Sequence, residues 1–127
     1  MKSNGNVLSK ISDNVVEFIL TREVKELESL TVNAIARRFN INRCYLSQRF
    51  KYDKNISLHS YILMIKILRS ILLLETEKNI TVEDLSQRMG FSSSDYFTRI
   101  FKKMMGTTPG KYKKCLKNLT DWQDKNS

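Results

Sequence analysis

The stretch Leu30-Thr31-Val32-Asn33-Ala34-Ile35-Ala36-Arg37-Arg38-Phe39-Asn40-Ile41-Asn42-Arg43-Cys44-Tyr45-Leu46-Ser47-Gln48-Arg49-Phe50-Lys51 is echoed by Ile80-Thr81-Val82-Glu83-Asp84-Leu85-Ser86-Gln87-Arg88-Met89-Gly90-Phe91-Ser92-Ser93-Ser94-Asp95-Tyr96-Phe97-Thr98-Arg99-Ile100-Phe101-Lys102. At an offset of 50, Thr31, Val32 and Arg38 fall on Thr81, Val82 and Arg88. One extra residue at the turn makes the offset 51, and Tyr45, Phe50, Lys51 and Tyr61 then fall on Tyr96, Phe101, Lys102 and Tyr112. Leu30/Ile80, Ile35/Leu85, Phe39/Met89, Leu46/Phe97 and Ser47/Thr98 fill the intervals with similar residues. An internal repeat sets the architecture before any other feature does. Each copy reads as helix, tight turn, helix, and each second helix is rich in Arg and Lys.

Local chemistry supports that reading. Thr31 sits where an N-cap belongs, and its hydroxyl suits one of the unpaired N–H groups of a helix over 32–39. Asn40 follows, a residue that tolerates the left-handed conformation better than other non-glycine residues. A second helix is expected from about Arg43 to Asp53. In the second copy, Thr81 with Asp84 resembles a capping box, and Gly90 is a good left-handed stop. One of Ser92, Ser93 and Ser94 caps the next helix, which ends at Gly106. A helix-turn-helix needs a small residue at the crossing, a left-handed residue at the turn and an apolar residue facing back. The copies supply Ala36, Asn40 and Leu46, then Ser86, Gly90 and Phe97.

Charge is sorted along the chain. The net charge is +9 over 127 residues. Residues 31–57 carry +5 and residues 94–118 carry +6, while the segments around them are neutral or weakly acidic. The positive charge therefore lies in the second half of each copy, which indicates an anionic partner rather than a generic soluble surface. Two cysteines, Cys44 and Cys115, make no disulfide framework, and Met1–Lys10 lacks the apolar core of a secretory signal, so a cytoplasmic, nucleoid-associated protein is expected. The apolar run 62–74 is too short and too charged to span a bilayer, so no membrane partner is expected. A single His (His59), with no acidic cluster beside it, no glycine-rich phosphate loop and no metal-ligand spacing, argues against an enzyme and against any cofactor or metal. Oxidant sensing by Cys44 and Cys115 is a minor alternative.

With few Gly and Pro, the expected class is all-α: two helix-turn-helix subdomains joined by a long linker helix, about seven helices in total. The expected segments are a flexible N-terminus (1–11), a first subdomain (12–57), the linker helix (58–75), a second subdomain (76–117) and a flexible tail (118–127). Ser12 or Asp13 caps a first helix through Leu20. In the charged run 21–29, Glu23, Lys25, Glu26 and Glu28 are expected to face water. A short helix over 110–116 precedes the tail.

The string Gly90-Phe91-Ser92-Ser93-Ser94-Asp95-Tyr96-Phe97-Thr98-Arg99-Ile100-Phe101-Lys102-Lys103, followed by Gly106-Thr107-Thr108-Pro109-Gly110-Lys111-Tyr112, resembles the DNA-binding domain of the AraC/XylS family of bacterial transcription regulators. The resemblance covers about residues 12–114, and Tyr45-Leu46-Ser47-Gln48-Arg49-Phe50-Lys51 resembles the family's first recognition helix. It implies a sequence-specific regulator of transcription, commonly an activator, that inserts two recognition helices into successive major grooves and works with RNA polymerase. The family's base-reading positions fall on Arg43, Cys44, Ser47 and Gln48 in the first copy and on Ser94, Asp95, Thr98 and Arg99 in the second. Gln48 suits adenine, Arg99 suits guanine, and Arg43 suits either guanine or a phosphate. Asp95 either accepts from a cytosine amine or caps its helix. Lys51, Lys102, Lys103, Lys111 and Lys113 are candidate phosphate contacts, as are the helix starts at Thr31 and Thr81. The aromatic residues Tyr45, Phe50, Tyr61, Tyr96, Phe101 and Tyr112 recur at core spacing, which favours packing over base stacking.

The chain departs from the family pattern at Asn40, where Gly is usual, and in the linker helix. Residues 61–74 are far more apolar than is common in the family. Ile62, Ile65, Leu73 and Leu74 suffice for two small cores. Leu63, Met64, Leu68, Ile71 and Leu72 are then in excess and form a candidate partner face, for an effector domain or for a second copy in a homodimer. The alternative is that the N-terminal helix covers it. A basic module that binds acidic protein, or the DNA-binding fragment of a larger effector-responsive regulator, is the competing assignment.

Overall fold

A computed structural model describes the backbone of residues 6–126 and side chains from residue 10 onward. The ordered elements are α1 (Asn6–Leu20), α2 (Val24–Leu27), α3 (Val32–Arg38), α4 (Arg43–Lys54), α5 (Leu58–Thr76), α6 (Val82–Arg88), α7 (Ser94–Met105) and α8 (Pro109–Lys125). No strand occurs among the described residues, so the all-α class with two helix-turn-helix pairs holds. The described residues form eight helices where the sequence suggests about seven. The chain divides into two compact units, Met1–Ile65 and Lys66–Ser127, with the boundary inside α5.

In the first unit, α3 and α4 pack together and α1 packs on α4. The N–H of Ala34 donates to Thr31 Oγ1 at 3.0 Å, which closes the start of α3. At its end the N–H of Ile41 donates to the Ala36 carbonyl at 2.9 Å and that of Asn40 to the Arg37 carbonyl at 3.1 Å. This is the Schellman pattern, and it requires a left-handed residue, here Asn40 at φ 54°. Asn42 then caps α4 by accepting from the N–H of Tyr45 at 3.0 Å. Leu46 and Phe50 point from α4 into a core with Ile35, Leu30, Leu58 and Ile62, all buried.

The expected N-cap role of Ser12 and Asp13 is not realised. The helix begins at Asn6, well inside the segment 1–11 expected to be flexible, and residues 1–5 of that segment lie outside the described residues. Ser12 is fully buried, and its hydroxyl donates to Asp53 Oδ2 of α4 at 2.6 Å. Asp13 pairs with Lys54. In residues 21–29, Glu23, Lys25 and Glu28 are exposed as expected and Glu26 is half-buried, while the run itself holds a helix. The N–H of Glu23 donates to the Glu26 carboxylate at 2.8 Å, and the short α2 so started buries Leu27.

The second unit repeats the plan with different residues. Thr81 accepts from the N–H of Asp84 at 3.0 Å, the forward half of a capping box. Asp is one methylene shorter than the Glu that normally makes the return bond. The turn bonds recur, Phe91 N–H to the Ser86 carbonyl and Gly90 N–H to the Gln87 carbonyl, each at 3.0 Å, with Gly90 at φ 77°. Ser93 caps α7 and Thr108 caps α8, with Pro109 in the first turn, where its missing N–H costs nothing. The rings of Phe97, Phe101 and Tyr112 form an edge-to-face chain with centroids 5.8 and 5.9 Å apart. The first unit has the same device in Phe50 and Tyr61, at 5.7 Å. The core role expected of the recurring aromatics holds for Phe50 and Phe101, which are buried, and in part for the half-buried Tyr61, Tyr96 and Tyr112, but not for Tyr45, whose ring is 40% exposed on α4.

The C-terminal segment differs from expectation. In place of a short helix and a loose tail over 118–127, α8 continues to Lys125, because no Gly or Pro follows Gly110 to stop it. The linker helix behaves as expected at Ile62, Ile65, Leu73 and Leu74, which are buried. It also buries Lys66, which is 5% exposed. The Nζ of Lys66 stands 6.0 Å from the Phe91 ring centroid and makes no ion pair among the described residues. Burial lowers the pKa of this ammonium to about 8.

Two stability tests follow from these geometries. Gly106 ends α7 at φ 81° with open space around it, whereas Gly110 lies inside α8, also with open space. Gly106→Ala should therefore cost about 1–2 kcal/mol from backbone strain alone, and Gly110→Ala should add about 0.4–1 kcal/mol, both read by denaturant unfolding. For Lys66 the folded pKa lies below the unfolded value of 10.5. The unfolded chain thus binds more protons between those two values, and stability should rise with pH across that window. Lys66→Met should be more stable than the parent at neutral pH and should flatten that rise.

Candidate nucleic-acid interface

Both second helices, α4 and α7, are twelve residues long and keep one face in the core through Leu46 and Phe50 or Phe97 and Phe101. The opposite faces carry the residues expected to read bases. Arg43, Cys44 and Gln48 are exposed and Ser47 is half-buried on α4. Asp95 and Arg99 are exposed and Ser94 and Thr98 are half-buried on α7. Each set thus shares one accessible face in the N-terminal half of its helix. Ser93 caps α7, so Asp95 is not the cap; its carboxylate lies in the first turn, where the helix dipole favours it. The guanidinium of Arg99 lies 5.4 Å from the centroid of Tyr96, which limits its freedom before any ligand arrives.

The cations fall into two groups. Arg49 donates to Asp53 at 3.0 Å, Arg88 pairs with Glu77 at 3.1 Å, and Lys54 pairs with Asp13. These hold the fold. Arg43, Lys51, Arg99, Lys102, Lys103 and Lys111 are exposed and make no ion pair among the described residues. Together with the exposed Arg37, they are among the cations left over for an external anion. Lys113, expected among the phosphate contacts, is drawn instead to the carbonyl of Ile80, just ahead of α6. The start of α6 at Thr81 is a poor anion site, because Glu83 and Asp84 occupy its first turn. The start of α3 at Thr31 has no acid there.

Sequence reasoning missed the brace between α1 and α4. Asp53 is the sole acid of residues 31–57, an isolation that was the available signal for it. It accepts from both Ser12 and Arg49 and so ties the recognition-helix candidate α4 to α1. Phe18 of α1 meets Phe39 edge-on at 5.6 Å, and Arg22 and Arg38 lie over the Phe18 ring. Phe39 is therefore half-buried, where its repeat counterpart Met89 is fully buried. Among the described residues no group of His, Cys, Asp and Glu has the arrangement of a metal site. No single described helix is long and apolar enough to cross a membrane.

Residues 35–114 match the family described as helix-turn-helix domain. The Msm operon regulatory protein of Streptococcus mutans is 39% identical over 90 residues, which are 71% of this chain and 32% of that protein. The probable transcription factor PqrA of Proteus vulgaris is 32% identical over 106 residues, covering 81% of this chain and 86% of that protein. Among solved structures, the C-terminal domain of AraT, a response regulator from Geobacillus stearothermophilus, is similar with a TM-score of 0.72 at 26% identity, covering 85% of this chain and 87% of that one. The chain thus spans about a third of the Msm regulator but most of PqrA. With two matched helix-turn-helix pairs, their exposed basic helices and these relatives, the chain belongs to the AraC family of DNA-binding transcription regulators.

Proposed function

We propose that the chain recognises a specific, non-palindromic duplex site by inserting α4 and α7 into successive major grooves, and that it activates transcription. The observation that supports this best is the pair of matched, solvent-facing helices whose outer cations have no partner in the fold. Successive major grooves on one face of a duplex are about 34 Å apart, a spacing that two recognition helices on one chain can serve. Cys44, Ser47 and Gln48 on α4, and Ser94, Asp95, Thr98 and Arg99 on α7, are the proposed base readers, and Arg43 serves either a base or a phosphate. Lys51, Lys102, Lys103 and Lys111 fix register on the backbone; Thr31 remains a weaker candidate, and Thr81 and Lys113 are weaker still on the geometry above. Activation, through contact with RNA polymerase, is supported by the family resemblance.

A partner on the linker helix is also proposed. Leu68 is 48% and Leu72 55% exposed, one helical turn apart, while Leu63, Met64 and Ile71 are half-buried beside them. Within the first unit, α1 packs on α4. An effector domain or a second copy would bury this stripe.

Selection of bound sequences from a random DNA pool tests the main proposal: one enriched site that resists competition by bulk DNA is the expected result, and equal loss to any polyanion would refute it. On the enriched site Arg99→Ala should cost about 1–3 kcal/mol and relax one base position, whereas Lys102→Ala should weaken all DNA alike and lower the salt slope by about one. Equal losses on specific and random DNA for Arg99→Ala would remove it from the reading set. Replacing Leu68 and Leu72 by Glu should change oligomeric state or regulation; if solubility, association and regulation all stay unchanged, the stripe has no partner.

A further inference from the structure

We propose that the turn of the first helix-turn-helix is a phosphate clamp, built by the guanidinium groups of Arg37 and Arg43 with the side-chain amides of Asn33 and Asn40, and that the second helix-turn-helix has no such clamp. The proposal rests on the DNA-binding reading and assigns one contact within it: Arg43, open between a base and a phosphate in the sequence, goes to the phosphate.

Four observations carry it. First, an open groove of about 530 Å³ lies at the α3–α4 turn, and Asn33, Arg37, Asn40 and Arg43 all line it. Second, both arginines are exposed and neither has an ion pair among the described residues. Two cations facing one groove repel each other, and the repulsion grows where protein displaces water. A shared anion converts that repulsion into attraction. Third, Arg43 is the first residue of α4, and no acid occupies that first turn. A cation there opposes the positive end of the helix dipole. A residue that violates its local preference marks a site kept for something other than stability.

The fourth observation is the internal control that the repeat supplies. The α6–α7 turn has the same two backbone bonds and a left-handed residue at the same position. At the positions of Asn33, Arg37, Asn40 and Arg43 it carries Glu83, Gln87, Gly90 and Ser94, with Asp95 following. The turn geometry therefore does not demand the two arginines. Of the neighbouring candidates, Asn42 has its amide fixed at the start of α4 by the N–H of Tyr45 on its side-chain oxygen, and Arg38 lies over Phe18. What remains is two guanidinium forks and two amide donors, the donor set that suits the oxygens of a phosphate. A backbone phosphodiester fits this chemistry, and so does a free phosphorylated molecule.

The test uses the full chain with Arg37→Gln and Arg43→Gln, both at exposed positions, with helix content checked by circular dichroism. DNA titrations over a range of salt concentrations should show each variant weakened about tenfold on selected and random duplex alike. The slope of log affinity against log salt should fall by about one, with base preferences unchanged. Unchanged affinity and slope for Arg37→Gln would overturn the clamp, as would a changed preference at one base position for Arg43→Gln. If the parent chain prefers no DNA over other polyanions, the DNA reading fails, and inorganic phosphate then decides the clamp alone. A phosphate-dependent rise in melting temperature that disappears in Arg37→Gln would uphold it for a free phosphorylated ligand. The same rise in parent and variant, or none in either, would overturn it.

Discussion

Everything in this molecule hangs on a six-residue return of the chain. At 36–41 and again at 86–91, two backbone hydrogen bonds reverse the direction of a short helix and can form only if one residue goes left-handed. The seven-residue helices α3 and α6 are too short to be stable in isolation. They persist because the turn delivers each onto its partner, where Ile35 meets Leu46 and Phe50 in one core and Leu85 meets Phe97 and Phe101 in the other. The small residues Ala36 and Ser86, both buried at the crossing, supply the carbonyl for the longer bond. Core, cap and exposed recognition face are thus consequences of one local constraint, met twice.

Electrostatics then divides the labour among cations. Those tied to carboxylates, Arg49, Lys54 and Arg88, brace helices. Among the described residues, exposed cations without a carboxylate partner include Arg37 at the first turn, Arg43 and Lys51 on α4, Arg99, Lys102 and Lys103 on α7, and Lys111 at the start of α8. Surface ion pairs contribute little to stability singly, but they neutralise charge, and charge so neutralised is not offered to DNA. Asp53 is the clearest case. Nearly buried, it takes a hydrogen bond from Ser12 and an ion pair from Arg49, and so removes one cation from the face of α4 while fixing α1 to its back. The DNA-facing charge of the first unit is therefore smaller than a count of its arginines and lysines implies.

The repeat made the fold legible in the sequence, because period, caps and left-handed residues are local signals. Thr31, Asn40, Thr81 and Gly90 were readable for that reason, and so were the buried positions of the linker helix. What escaped depends on distant or missing partners. α1 begins before Ser12 because its cap is not Ser12; that hydroxyl is used by Asp53, forty-one residues away. α2 was hidden in a charged run because a single apolar residue, Leu27, anchors it. α8 outruns its expected end because a polar tail need not be loose: Lys, Leu and Gln favour helix and nothing after Gly110 breaks it. In the candidate interface, residue identities could be read from the family string, but the capture of Lys113 by Ile80 needed coordinates.

Among the described residues, the four left-handed positions are filled differently in the two units: by Asn40 and Asn55 in the first, by Gly90 and Gly106 in the second. An L-residue held in that conformation stores strain that glycine does not, roughly 1–2 kcal/mol for a general residue and less for Asn. Strain of this kind is released when the turn opens, so local opening is less costly at 40 and 55 than at 90 and 106. In amide exchange, the N–H groups that close the first turn lose their protection sooner than those of the second, by that difference in opening free energy. The two copies share a blueprint but not a clock.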